Sequence, residues 1–315
     1  MNELISLLKS KYGIHASGIS SAPGGFSTKA AFRVAGGDGI DYFLKVYDKT
    51  LPTTRFFVER IDAYMPVLAW LAASPALSGR VLTPVPLRSG GYKAETRDEV
   101  YVLFHYVRGQ SPGIEGMTRA QTVDLAGILA RLHEAVPPEA PGLEEDISLA
   151  FCDRLLIFLD DVDTRQGALP GLIAPHAQML RGAIGETLRL RDTIRFGYTP
   201  LALCHGDAHG NNVIQSERLV LADWEDLRLA PPEADLFIYA WHPYGETLLE
   251  AYVAARQGYR INRELLYFYV LRRRIEDVAV DVQRLTEEAP DEGERAELLK
   301  WIHRGIDDVR RAYIL

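Results

Sequence analysis

Three side chains have the types and spacing that phosphoryl transfer from a nucleotide needs. In Leu203-Cys-His-Gly-Asp-Ala-His-Gly-Asn-Asn-Val-Ile, a carboxylate, Asp207, follows an apolar run, and an amide, Asn212, comes five positions later. In Leu219-Val-Leu-Ala-Asp-Trp-Glu a second apolar run ends in another carboxylate, Asp223. The reaction requires a group that orients a hydroxyl and accepts its proton, and oxygen ligands that hold Mg2+ across the phosphates. Asp207 suits the first task, Asn212 and Asp223 the second. An isolated Asp-x-x-x-x-Asn is an ordinary loop feature, because both residues cap helices and make turns. The flanking apolar runs, with His205 just before Asp207, favour a site. His205, Asp207 and His209 also offer imidazole and carboxylate to zinc, but no third histidine or cysteine lies at ligand spacing. Cys204 reads as a small buried hydrophobe.

These residues need strands and helices to position them. In the first hundred residues, glycine-rich turns separate apolar-alternating stretches, and strands are predicted at 30–34, 42–47, 82–87 and 100–106. One helix interrupts them, capped by Thr53 or Thr54, with an apolar stripe of Phe56, Phe57, Ile61, Tyr64 and Leu68 and a kink at Pro66. After Tyr106 the pattern turns helical. Thr118 and Gln121 form a capping-box pair before Val123, Ala126, Leu129 and Leu132. Helices are expected near 145–163 and 174–193, strands at 201–204, 212–216 and 218–222, then three more helices. Asn262 caps the long one, through Leu265, Phe268, Leu271, Ile275, Val278 and Val282.

The chain has 315 residues, enough for two domains, and the segment Val107-Arg-Gly-Gln-Ser-Pro-Gly is the expected boundary. Its 43 acids against 35 bases leave a net charge of −8. That argues against a general nucleic-acid binder and suits a cationic small molecule. Two cysteines, Cys152 and Cys204, provide no disulfide framework. No apolar run approaches the ~18 residues of a membrane span, so a cytoplasmic protein without membrane partners is expected.

On these motifs the sequence resembles the aminoglycoside phosphotransferase and choline kinase superfamily. His205-Gly-Asp207-x4-Asn212 matches the family's catalytic loop, and Asp223 its metal-binding aspartate. Ala222-Asp-Trp-Glu-Asp, Leu229-Ala-Pro-Pro-Glu-Ala-Asp235-Leu, and Tyr269 through Arg274-Ile-Glu-Asp277 look most like the spectinomycin branch. The resemblance implies an α+β, bilobal, protein-kinase-like fold: a small antiparallel-sheet lobe binding nucleotide over 1–106, and a larger, mostly helical lobe over 107–315 for catalysis and acceptor binding. ATP or GTP is the implied donor, with Mg2+, and Asp235 resembles the aspartate that ties down the catalytic loop. Gly206 stands where protein kinases carry arginine, and Trp224-Glu225 replaces their Phe-Gly, so control by loop phosphorylation is not expected. Asn211 stands where many members have glycine. If that backbone is left-handed, asparagine is the next best tolerated residue.

The resemblance also organises the N-terminal part. Lys45, in Phe43-Leu-Lys-Val, reads alone as a strand-edge lysine. Beside the downstream motif it becomes the ammonium that meets the nucleotide's phosphates. Its acidic partner is expected from the following helix, Glu59 first and Asp62 as the alternative. The turn around Gly25, Phe26 and Ser27 is expected to cover the phosphates, although it is no Walker loop. Phe104 and Tyr106 belong to the segment whose backbone should meet the base.

On the acceptor side, Glu225, Asp226, Trp241 and Glu276 are the candidate contacts for a cationic molecule. An aminoglycoside or aminocyclitol is the first expectation, with a choline, homoserine or methylthioribose type of metabolite as the rival. A non-catalytic binding protein of kinase shape fits less well, since it has no use for a proton acceptor. A protein kinase is disfavoured by Gly206 and by the lack of Ala-Pro-Glu after Asp223.

Overall fold

The computed structural model describes residues 2–25, 28–113, 115–194, 200–240 and 242–314. Its strands are β1 (Ala16–Ala22), β2 (Ala30–Gly36), β3 (Asp41–Asp48), β4 (Lys93–Glu95), β5 (Glu99–His105), β6 (Ala202–Cys204), β7 (Val213–Gln215), β8 (Leu219–Leu221) and β9 (Arg228–Ala230). The α-helices are α1 (Asn2–Leu7), α2 (Pro52–Ala73), α3 (Arg119–Glu134), α4 (Ala150–Asp160), α5 (Ala168–Ile173), α6 (Ala177–Thr193), α7 (Glu233–Leu236), α8 (Gly245–Ala255), α9 (Arg263–Glu287) and α10 (Glu292–Ile314). No helix among the described residues is long and apolar enough to cross a membrane. The chain divides into two compact units, Met1–Glu144 with Leu201–Arg260, and Glu145–Pro200 with Ile261–Leu315.

The first unit holds a five-stranded sheet in the order β1-β2-β3-β5-β4, with every neighbouring pair antiparallel. Alternation along β3 sends Tyr42, Leu44 and Val46 into a core with Leu8, Tyr12, Ile14, Val34 and Leu103. Residues of opposite parity, Lys45 and Tyr47 among them, belong to the other face, and both are buried there. Between its neighbours Ala31 and Val102, Lys45 sits in the middle of the sheet and not at an edge.

Several local expectations need correction. Segment 82–87 forms no strand; it contributes a single bridge, Pro84 to Phe104, where the run before the proline cannot continue a ladder. β1 and β4 were not expected, because Ala16–Ala22 is rich in serine and glycine and Lys93–Glu95 is only three residues long. α2 starts at Pro52, whose fixed φ suits a first helical position, so neither Thr53 nor Thr54 is its cap. Its buried residues are Thr54, Val58, Ile61, Tyr64, Met65, Val67, Leu68 and Leu71, so Ile61, Tyr64 and Leu68 lie where expected; Phe56 is half exposed, with the Arg60 guanidinium over its ring. The helix runs on through Pro66. The capping box of Thr118 and Gln121 is present in both directions.

In the second unit α9 packs against α4, α6 and α10. Asn262 Oδ1 accepts from the backbone N–H groups of Glu264 and Leu265, and the six apolar residues from Leu265 to Val282 expected on one stripe are buried. Each such side chain contributes about 1.5–3 kcal/mol. Tyr269 donates to Glu145 Oε2 at 2.5 Å, and Arg272 pairs with the same carboxylate. Cys152 and Cys204 are both buried and unbridged.

Asp281 of α9 is also buried. Burial, reinforced by the charge of Asp277 one turn earlier and opposed by Arg284, pushes its pKa up to about 7. In the folded protein the neutral acid is favoured, so its contribution to stability is full below the ordinary carboxylate pKa. It is lost as pH rises towards 7, and above that the loss is complete. Asp281→Asn should therefore gain stability relative to wild type between pH 5 and pH 8, on the order of 2 kcal/mol, in unfolding curves taken at both pH values. A pH-independent difference would contradict this.

Candidate active site

β6, buried along its length, leads into the loop from His205 to Asn212. The loop is held from beneath by Asp235, whose Oδ2 accepts from His205 N–H at 2.8 Å and Oδ1 from Gly206 N–H at 2.6 Å. Presenting two successive N–H groups to one carboxylate needs an unusual backbone, and Gly206 has φ +84°. A Cβ there would lie 2.6 Å from the carbonyl oxygen of Asp226, so glycine is required on both counts. His205 donates from Nε2 to Ala222 O at 2.8 Å and accepts the N–H of Asp207 at Nδ1. With both ring nitrogens so used, His205 is no zinc ligand.

Asp207 and Asn212 are brought together. The Asn212 amide nitrogen donates to Asp207 Oδ2 and to its backbone oxygen, each at 2.8 Å. His209 Nε2 approaches the same Oδ2 at 3.3 Å. Asn212 closes a 3-10 turn, and Asn211 within that turn is not left-handed, so its asparagine there needs no special tolerance. β7 and β8 then pair from Val213 with Leu221, and Ala222 N–H bonds Asn212 O at 2.8 Å. That register sets Asp223 beside the loop.

Asp223 has φ 64°, a left-handed conformation that costs a residue with a Cβ about 1–2 kcal/mol. The turn is held by Trp224 Nε1, which donates to Leu221 O at 2.9 Å. It aims the Asp223 carboxylate at Lys45, to which it is paired. Lys45 Nζ also donates to Glu225 Oε1 at 2.6 Å, and Tyr47 donates to that oxygen. Burial alone would lower the Lys45 pKa, but the two carboxylates outweigh it and hold the ammonium charged. Gly25 lies at the same carboxylate: a Cβ on it would come within 3.0 Å of Asp223 Oδ2. Asn212 and Asp223 offer oxygen donors and no sulfur or imidazole, a set that fits a hard cation such as Mg2+.

Two expectations about acids are overturned. Glu59 does not pair with Lys45; it is 65% exposed and bonds Arg55 one turn away. Asp62 pairs with Lys93 instead. Glu225, expected at the acceptor, is buried against Lys45 and Tyr47. Asp226 is half-buried, 3.7 Å from Arg60. Glu276 is half-buried on α9 of the second unit, while Phe26, Ser27 and Trp241 lie outside the described residues. Phe104 is buried in β5, and Tyr106 lies under the Arg33 guanidinium. The N–H groups of His105 and Tyr106 are donated to Thr83 O and Asp41 O, which narrows the backbone left for a base. A recess of about 530 Å³ lined by Val81, Thr83, His105, Tyr106, Arg108 and Arg218 touches none of Lys45, Asp207, Asn212 or Asp223.

The sequence reading missed three contributors. Tyr47 follows Lys45 by two on the same strand face, a signal present in the alternation. Arg60 has no local signal beyond its place on α2. His133 of α3 is buried, with Nε2 3.0 Å from Asp235 Oδ2 and Nδ1 2.8 Å from the Tyr252 hydroxyl, which accepts from Arg256 at 2.7 Å. His133, Cys204 and Asp235 bring potential ligand atoms within 4.8 Å. Each already has a partner, the Cys204 thiol bonding Ala230 O and Pro231 O.

Burial opposes the charge on Asp235, yet the His133 hydrogen bond and the Gly206 N–H hold its carboxyl below the usual range. Asp235→Asn turns an amide towards donors and should cost about 3 kcal/mol, read as a lowered urea midpoint. A midpoint within error of wild type would show that the carboxylate is not holding the loop.

Residues 18–269 match the profile of the phosphotransferase enzyme family. Protein StrN of Streptomyces griseus is 27% identical over 245 residues, 73% of this chain and 72% of that protein. A structure of spectinomycin phosphotransferase APH(9)-Ia with ADP and spectinomycin aligns over 100% of this chain and 98% of its own, with TM-score 0.75 at 18% identity. The macrolide 2'-phosphotransferase MphH of Brachybacterium faecium aligns over 96% and 98%, with TM-score 0.61 at 19% identity. The structural likenesses establish a common fold of antiparallel sheet and helices, and with four-fifths of its length matched by the family profile, this chain belongs to the phosphotransferase enzyme family.

Proposed function

We propose that the protein moves the γ-phosphate of ATP or GTP to a hydroxyl of a small cationic molecule, an aminoglycoside or aminocyclitol antibiotic, with a spectinomycin-like acceptor favoured. The observation that carries the reading is the pairing of buried Lys45 with Asp223 while Asp207 is bonded to Asn212. A binding module has no need of that second pair.

In this reading Asp207 orients the acceptor hydroxyl and takes its proton, its carboxylate fixed by the Asn212 amide and flanked by His209. Lys45 brings positive charge to the phosphates. Asn212 and Asp223 hold Mg2+, which when bound offsets phosphate charge. Residues 1–106 form the nucleotide lobe, with Gly25 in the loop over the phosphates, and 107–315 carry catalysis and acceptor binding. Asp226 and Glu276 remain the acidic acceptor candidates, and the spectinomycin phosphotransferase likeness supports that choice of acceptor.

The test is a coupled ADP- or GDP-release assay with magnesium against antibiotics, hydroxylated metabolites and a generic protein. Turnover is expected with at least one small hydroxyl compound. Asp207→Asn should lower kcat by about 10²–10⁴-fold with nucleotide affinity kept. Equal rates in wild type and variant would remove Asp207 from the role of base, and phosphorylation of the generic protein alone would replace the acceptor class.

A further inference from the structure

We infer that Glu225 is the positioning carboxylate for Lys45, the task the sequence pointed to on α2, and that α2 serves the site through a cation, Arg60. This rests on Lys45 being the residue that meets the nucleotide's phosphates.

The geometry of Glu225 suits an anchor. Its side chain is 8% exposed, and one oxygen, Oε1, receives both Lys45 Nζ and the Tyr47 hydroxyl. Buried charge of this kind is stable only when its partners are fixed. Two carboxylates on one ammonium leave a negative charge over. Asp223 can therefore serve a cation while Glu225 keeps hold of Lys45.

The segment carrying Glu225 is itself clamped. Arg60 donates to Glu225 O at 3.2 Å and to Leu227 O at 2.6 Å, and pairs with Asp226 at 3.7 Å. Helical register explains the exchange of charge. Adjacent residues on a helix lie ~100° apart, so an α2 that turns Arg60 to the loop carries Glu59 away from it. Glu59 is accordingly spent on Arg55 at the surface. The helix thus reaches Lys45 indirectly, by gripping the backbone that presents Glu225.

Nucleotide affinity, measured by calorimetry with ATP and GTP in magnesium and again in EDTA, tests this without knowledge of the acceptor. Wild-type protein that binds neither nucleotide would end the reading of Lys45, and this inference with it. Given wild-type binding, Glu225→Gln should weaken it about tenfold or more in both media, and Glu225→Asp should recover part. Glu59→Gln should stay within about twofold, as for an exposed pair. Once an acceptor is found, Glu225→Gln should lower kcat and leave the acceptor KM unchanged. Unchanged nucleotide affinity in Glu225→Gln, or a raised acceptor KM with intact nucleotide binding, would overturn the assignment, as would an equal loss in Glu59→Gln. If Glu225→Gln does not fold, Tyr47→Phe removes one hydrogen bond from Oε1 and should weaken nucleotide about threefold; no weakening would likewise overturn it.

Discussion

Burying an ammonium costs several kcal/mol unless opposite charge is supplied at the same place, and at Lys45 that charge comes from Asp223 and Glu225. Meeting this constraint draws together parts distant in sequence. β3 must present Lys45 from the middle of a sheet, so that it cannot reach water along an edge. Two residues past β8, the left-handed Asp223 must turn its carboxylate towards Lys45. The following turn must place a second carboxylate within reach of the same nitrogen. The leading residues of the site are thus fixed by one electrostatic requirement.

The loop that carries Asp207 and Asn212 is organised by a different rule. Its geometry is specified through backbone groups, with Asp235 receiving two consecutive N–H groups and His205 bridging to the Ala222 carbonyl. Beneath Asp235 a buried relay runs from Arg256 through Tyr252 to His133. Each link in it pairs a donor with an acceptor, and such paired buried networks stiffen a structure.

Much of this was legible because it is local. The alternation of β3, the capping box at Thr118, the Asn262 cap and the stripe of α9 are all set by neighbours within a turn or a strand, and all appear where the pattern put them. The spacing of Asp207 and Asn212 was readable for the same reason, since five residues suffice to close a 3-10 turn. The partner of Lys45 was not. Glu59 and Arg60 are neighbours in sequence, and which of them α2 turns inward depends on helix rotation set by Val58, Ile61 and Met65. His133 gave no signal either, since its partners come from segments about a hundred residues away.

Ala222 is a junction made of main chain alone: its N–H bonds Asn212, and its carbonyl receives the imidazole of His205. Neither bond involves the methyl group. A survey of side-chain replacements there would therefore register little beyond bulk and leave the impression of an unimportant position. The two hydrogen bonds would surface only on editing the peptide itself, as when an amide-to-ester exchange deletes the N–H. Part of what this site depends on is thus invisible to alanine scanning.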